Sequence, residues 1–464
     1  MKPSDVEALV TEQLLPKWRR SLETLDLIDG WLNPRRDRRK FPLSRRANYE
    51  HRALQELSEA PWGAIVVSTV AQTLDLESIY TEQADDPAVA RIWAPWKRNR
   101  MDRVQVRLHR GSIAFGEAYT RVTRGDDSKA LINARSARDA FVVYRDSRDD
   151  DAKPLYALEK VGQWDLSNPL DPGLLMLWDE DGTVYTLSCE AGDIRYVEQN
   201  PFDYGVVPFI RYAPQLDLEG VSRGEIAPLV PLFGRIEKTA YDRLLIQHKN
   251  SWKVRTATGL DGDKLTEQDK IKLAHDDILT GEEGVQFSTL DETSVEPTIK
   301  AHEADIDVLS ALSQTPITAL GKFINVSADA IAEARASLYA KRDEYRKMIG
   351  VSHLDTLRLA AHIEGRTEDA ANFDIYADWA DTEVRTMSAA ADALGKVATM
   401  LEVPVTELWP MLPFVNYTMA EKWKSAATRQ GGESLIQQMI AARQSATQTQ
   451  QASQAGGSGG VDRG

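Results

Sequence analysis

The stretch QTPITALGKFINVSADA, Gln314 to Ala330, decides how the rest of the chain is read. It stands between two helical segments, yet it is too apolar for a solvent loop. Ile317, Leu320, Phe323, Ile324 and Val326 surround one basic side chain, Lys322. Pro316 lacks an amide N–H and Gly321 favours non-helical backbone, so no regular helix is expected to run through it. On an isolated chain such an apolar loop would be a liability. It becomes sensible where several copies surround an axis and their loops line or plug a common bore.

Helical periodicity returns on both sides of this loop. Before it, a short helix is expected from about Ile299 to Ser313. That helix follows a charged insert, Arg255 to Pro297, which holds the turn GLDGD, the acids Asp276, Asp277, Glu282 and Glu283, and a candidate strand at VQFSTL. Earlier still, Ile226, Leu229, Val230, Phe233, Ile236, Ala240, Leu244 and Ile246 recur near helical spacing. They predict one long helix from Glu225 to about Lys253, with Pro228 and Pro231 tolerable only in its first turns. After the loop, Ser327 reads as the N-cap of another long helix. Ile331, Leu338 and Tyr345 fall at seven-residue intervals along it, and Gly350 is the position where a kink is expected.

The flanks complete the pattern. Ser4 and Glu7 read as a capping box opening a helix that reaches about Gly30. Helices are also expected over Ala47–Ser58 and Pro61–Leu74, and from the Asp86-Pro87 start to about Ser112, with a bend at Pro95. From Gly116 to Tyr212 the texture changes to short β-branched and aromatic runs separated by turns, with Asp181-Gly182 as a hairpin tip. FDIYADWAD, Phe373 to Asp381, reads as one more strand. Glu383 to about Arg443 reads as helical, interrupted by Pro404, Pro410 and Pro413. The tail from residue 446 is polar and Gly/Ser-rich, the composition of a disordered segment. The class is therefore α+β and mostly helical.

Bulk composition narrows the function. The chain has 464 residues, 42% of them hydrophobic and 27% charged, which is globular. Its formal charge is -15, from 56 basic and 71 acidic residues, so it repels polyanions as a whole. Tight sequence-independent DNA binding is excluded, because that affinity comes from phosphate neutralisation by basic excess. One cysteine, Cys189, allows neither an intrachain disulfide nor a multi-cysteine metal site. MKPSDVEALV has no signal-peptide core, and the weakly polar run Ala60–Leu74 is too short and too polar to span a bilayer.

No pattern for chemistry emerges. The seven histidines are scattered and form no H-E-x-x-H pair. DGDKLTEQDK places Leu265 where a calcium ligand belongs. Gly321-Lys322 is followed by Phe323 with no glycine five before it, so a Walker A phosphate cradle is absent. No G-x-S-x-G is found either. Neither cofactor nor metal is expected, and the chain reads as non-enzymatic. The basic run Arg35, Arg36, Arg38, Arg39 and Lys40 has two readings: a contact with DNA or an anionic protein surface, or a solvated segment offsetting the acidic excess. Trp31, Trp62, Trp93 and Trp96 read as core or subunit-interface packing.

Several of these segments together resemble the portal (head-to-tail connector) proteins of tailed bacteriophages, the siphophage-type subfamily. The matching stretches are IW…NRMDRVQVRLHR (Ile92–Arg110), FGEAYTRV (Phe115–Val122), VPFIRY (Val207–Tyr212), SRGEIAPLVPLFGRIEKTAYDRL (Ser222–Leu244), INVSADAIAEARASLYAKRDEYRKMIG (Ile324–Gly350) and DIYADWAD. The resemblance implies a wing over residues 1–224, a first stem helix over 225–254, a clip over 255–297 and a second stem helix over 298–313. It further implies a tunnel loop over 314–326, a long wing helix and returning strand over 327–382, and a crown over 383–445. The tunnel loop would present Gln314, Thr315, Pro316, Ile317, Leu320, Lys322, Phe323, Ile324 and Asn325 to a bore, and the clip acids would be docking charges. By the same resemblance, a ring of twelve copies at one capsid vertex of the virion, made in the host cytoplasm, would conduct double-stranded viral DNA in packaging and ejection. Its partners would be the terminase large subunit, a head-tail adaptor, and the major capsid and scaffold proteins, with no membrane. The rival readings are another capsid ring or scaffold protein and a nucleic-acid-processing enzyme subunit.

Overall fold

The structure, a computed structural model, describes the chain outside residues 35–40, 84–86, 149–152, 167, 169, 203, 252–254, 259–285, 290–291, 323–327, 381–386, 413–414, 416 and 431–464. The chain opens with α1 (Pro3–Ala8), a π-helical turn (Leu9–Leu14) and α2 (Leu15–Leu32), then α3 (Tyr49–Leu57), α4 (Trp62–Ala71), β1 (Leu76–Tyr80), α5 (Pro87–Arg98) and α6 (Met101–Phe115). A run of strands follows: β2 (Ala118–Arg124), β3 (Ala130–Ser136), β4 (Ala140–Tyr144), β5 (Pro154–Val161), β6 (Gly173–Asp179), β7 (Thr183–Glu190), β8 (Asp193–Pro201) and β9 (Phe209–Tyr212). After it come α7 (Val230–Ser251), β10 (Arg255–Thr258), β11 (Gln286–Thr289), α8 (Glu296–Ser313) and α9 (Ala328–Ile363). The C-terminal part holds α10 (Thr367–Ala370), β12 (Tyr376–Trp379), α11 (Met387–Leu401), α12 (Val405–Leu408) and α13 (Tyr417–Gln430). Two compact units result: Met1–Leu74 with Arg103–Ser352, and Asp75–Asp102 with His353–Gly464.

The larger unit is organised by two antiparallel sheets. One is a five-stranded meander in the order β4-β5-β6-β7-β8, and the other is three-stranded, β3-β2-β9. The meander's alternating apolar residues set its register, for instance Leu175 opposite Leu187, and the hairpin tip at Asp181-Gly182 forms with Gly182 at φ 80°. Leu158, Leu175, Leu177, Leu187 and Tyr185 form one core with Val6, Val10, Leu14, Trp18 and Leu22 from the N-terminal helices. Trp18 stacks on Phe141 and donates its indole N–H to the Ala137 carbonyl at 3.2 Å. Where the two sheets meet, the carboxylate of Glu159 accepts from Arg121 on β2, at 2.7 and 2.9 Å, and from Arg135 on β3. A buried carboxylate is tolerable there because both charges that compensate it are fixed by strand register.

Three local expectations change. The capping box does not form: α1 starts at Pro3, whose fixed φ suits a first helical residue, with Lys2 as N-cap. Glu7 instead accepts from the Tyr196 amide at 2.7 Å, next to the irregularity in the β7–β8 ladder, where an N–H would otherwise lack a partner. The single helix expected from Pro87 to Ser112 is two helices, broken at Asn99 and Arg100. Pro95 sits inside the first, and Arg100 adopts a left-handed φ of 52° that ends it. The helix expected from Glu225 begins with a 3-10 turn at Ala227–Leu229, because Pro228 and Pro231 remove two amide donors; the regular helix starts at Val230. By contrast, α9 runs unbroken through Gly350.

In the smaller unit, β1 and β12 pair antiparallel across about 300 residues of sequence, with Tyr80 stacked on Tyr376. The DIYADWAD strand is thus present; its partner Leu76–Tyr80 carried no strand expectation. Trp93 and Trp96 stack at 4.6 Å and are buried, the edge of His353 meets Trp96, and the Trp96 indole N–H donates to Asp102 at 2.7 Å. These tryptophans are packing residues, as expected.

Candidate functional site

α7 and α8 form an antiparallel pair. Asn250 meets Thr293 at one end, and Arg235 bridges Asp305 at 2.8 Å towards the other. Their shared face is apolar: Leu232, Phe233, Ile236, Ile306 and Leu309 are buried. That spacing follows the i, i+3, i+4 rule and accounts for their burial. α8 ends at Ser313 because Gln314 takes a left-handed conformation, φ 54°.

The described part of the loop is compact rather than extended. Ser310 donates to the Thr315 carbonyl at 2.7 Å and Ser313 to the Thr315 hydroxyl at 2.9 Å. Backbone N–H groups of Ala319, Leu320 and Lys322 then bond back to Pro316 and Ile317 carbonyls, and Gly321 supplies the positive φ, 87°, that turns the chain. Thr315, Pro316 and Leu320 are buried in this turn, and Ile317 is half-buried. Lys322 reaches back to Asp307 on α8, at 2.7 and 3.0 Å. Both side chains are partly exposed, so the pair contributes little stability, but it neutralises the loop's only cation within the protomer.

Gln314, Thr315, Pro316, Ile317, Leu320 and Lys322 are therefore brought together. Phe323, Ile324 and Asn325 lie outside the described residues. So do Asp276, Asp277, Glu282 and Glu283 of the charged insert, and Arg35, Arg36, Arg38, Arg39 and Lys40 of the basic run.

Beneath the loop lies a polar joint that sequence reasoning missed. Lys341 on α9 is 6% exposed and its ammonium contacts the Glu225 carboxylate at 2.7 Å. It also donates to the carbonyl of Ser313, the last residue of α8, at 2.9 Å. The Tyr345 hydroxyl donates to the same Glu225 oxygen, which also accepts from the Gln215 amide at 3.0 Å. Burial, and then the charge of Glu225, push the Tyr345 phenol well above its ordinary pKa, so it stays a donor. Three segments thus converge: the connection between β9 and α7, which supplies both Gln215 and Glu225, the end of α8 and the middle of α9.

Close backbone approach supports the joint. Glu225 donates its N–H to Ile113, and Gly224 packs so tightly that a Cβ there would lie 2.2 Å from the Ala114 carbonyl oxygen. A faint signal existed in the sequence: Leu338, Lys341 and Tyr345 stand at i, i+3 and i+7, which puts the lysine on the helix's apolar stripe.

Two further titratable groups are buried away from the loop. His109 is fully buried; desolvation lowers its pKa from 6.5 to about 4, partly opposed by the bond to the Leu74 carbonyl. Burial pushes the Cys189 thiol up, which makes it an inert core residue. Among the described residues, no cluster of His, Cys, Asp or Glu could hold a metal ion, and no helix is long and apolar enough to cross a membrane.

Comparison with known proteins adds the following. The family model "Phage portal protein, SPP1 Gp6-like" matches residues 15–433. A search of curated protein sequences returned no match. Among solved structures, the chain is similar to one from the virion of a native gene transfer agent particle. The TM-score is 0.45 at 10% identity, over 83% of this chain and 99% of that one. It is also similar to a chain from the neck of a native gene transfer agent particle computed with C12 symmetry. Here the TM-score is 0.43 at 8% identity, over 77% of this chain and 90% of that one.

Proposed function

We propose, because this chain belongs to the SPP1 Gp6-like phage portal protein family, that identical copies close into a ring at one capsid vertex and conduct viral DNA during packaging and ejection. The observation that carries this reading is the antiparallel pair α7–α8 ending in a helix-breaking apolar turn that is pinned at its base by Lys341. In this reading α7 and α8 are the stem and the segment between them is the clip. Gln314–Val326 is the tunnel loop, the sheet-rich N-terminal half is the wing and the C-terminal helices are the crown.

A conduit must let its cargo slide. The net charge of -15 disfavours phosphate, and Asp307 neutralises Lys322, the cation of the loop. ATP-driven translocation falls to a separate motor, the terminase, docked on the clip together with the adaptor. Mass measurement and top-view images of the purified assembly test the ring: a central bore with radial wings is expected, and a stable lone protomer under capsid-assembly conditions refutes it. The Lys322→Glu variant in reconstituted proheads tests the loop. Packaging and ejection should change while assembly persists; unchanged transport would remove Lys322 from the channel.

A further inference from the structure

One face of α6 carries Arg103, Arg107 and Arg110, all exposed, with Val106, 41% exposed, between them. Their spacing of four and three residues aligns the three guanidinium groups along a single stripe. On the flanks of this stripe Val104, Leu108 and Ile113 are buried, so its direction is fixed by the core. No acid or other polar group among the described residues partners these three arginines. Nearby arginines behave differently: Arg135 is bound to Glu159, and Arg138 to Asp26 and Asp29. In a chain with a net charge of -15, three aligned and uncompensated guanidinium groups are a local exception.

The stripe borders a cleft of about 610 Å³ between α2, α4, α6 and β3. Arg107 and Arg110 stand on its wall, and Leu32, Ile65, Leu108 and Phe115 give it an apolar lining. The volume falls in the range that accepts ligand groups. A phosphate backbone would use the arginines but has no need of an apolar cleft. An acidic protein segment uses both, carboxylates on the guanidinium stripe and an apolar side chain in the cleft.

We propose that this face of α6 docks an acidic amphipathic segment of another protein. The proposal goes beyond the portal reading and does not depend on ring closure.

The probe is a fluorescein-labelled peptide of Glu, Ala and Leu with Leu on one helical face, followed by fluorescence anisotropy on the full-length assembly. A scrambled peptide of the same composition and a labelled DNA duplex are run alongside. The ordered peptide should bind better than the scrambled one. Binding should weaken on the order of tenfold or more in Arg107→Glu/Arg110→Glu and in Ile65→Asp. Sedimentation should show the same assembly for the arginine variant as for the unmodified protein. Arg107→Gln/Arg110→Gln, checked by circular dichroism, decides the matter if the reversal variant misfolds. Absent or arginine-independent peptide binding overturns the proposal. Arginine-dependent duplex binding stronger than peptide binding would make the face a polyanion surface. Loss of assembly in the arginine variants would make it a contact between copies. Either result also overturns the proposal.

Discussion

The sheet core and the joint beneath the loop solve the same problem in opposite ways. Around Leu175, Leu177 and Leu187, strands are held by apolar side chains that would pack in many related arrangements. Around Lys341, Glu225, Tyr345 and Gln215, charged and polar groups are buried and each depends on particular partners. Replacing an ion pair by apolar residues often leaves stability unchanged, whereas removing one partner is severe. The joint therefore contributes a defined position for the end of α8 more than it contributes stability. A loop that must occupy a fixed place needs such a device; a sheet core does not.

The sharpest break of this comparison is Lys341→Met. It leaves Glu225 buried without its counter-charge and should destabilise the fold by about 3–5 kcal/mol. The double change Lys341→Met/Glu225→Gln should recover most of that loss in urea unfolding. A loss under about 1 kcal/mol for the single variant would mean that water compensates the carboxylate and the joint is not dry.

Leu177→Ala in the sheet core should cost about 2–5 kcal/mol through lost burial and a residual cavity. Here no polar second change should restore stability. Rescue by one would erase the distinction between the two regions.

pH supplies a third test, because His109 is buried in its neutral form. Its folded pKa, about 4, lies below the ordinary 6.5. Between those values the unfolded chain binds a proton that the folded chain does not. Stability should therefore fall as pH drops from about 6.5 towards 4, by up to roughly 3 kcal/mol. Urea midpoints measured across that window should lose this slope in His109→Gln. A slope unchanged by the substitution would assign it to other groups.

The smallest effect belongs to Lys322→Ala. Its exposed pair with Asp307 should contribute under about 1 kcal/mol to unfolding. A larger loss would make the pair part of the joint instead of a charge-neutralising contact on the loop.

Much of the fold was legible because its cues are local. Pro316 and Gly321 marked the end of α8 and the turn after it, the spacing of Phe233 and Ile236 announced α7, and β-branched runs announced the sheets. Errors arose where a local cue had a distant competitor. Glu7 looked like a capping residue, yet it serves the Tyr196 amide. Leu76–Tyr80 carried no clear strand pattern because its partner, Tyr376–Trp379, lies about 300 residues away. Of the candidate site, the loop was read correctly as an apolar helix breaker, while the network under it was not seen.

By itself, the sequence determined the α+β class, the succession of helical and strand-rich regions, the helix-breaking loop and the acidic balance of the chain. These depend on spacing, backbone freedom and charge count, which are properties of neighbouring residues or of simple sums. Only the tertiary structure decided that Lys341 is buried against Glu225, that Asp307 takes the charge of Lys322, and that Arg103, Arg107 and Arg110 have no partner among the described residues. Whether a charge is paired depends on which distant segments the folded core brings beside it, and no local pattern encodes that.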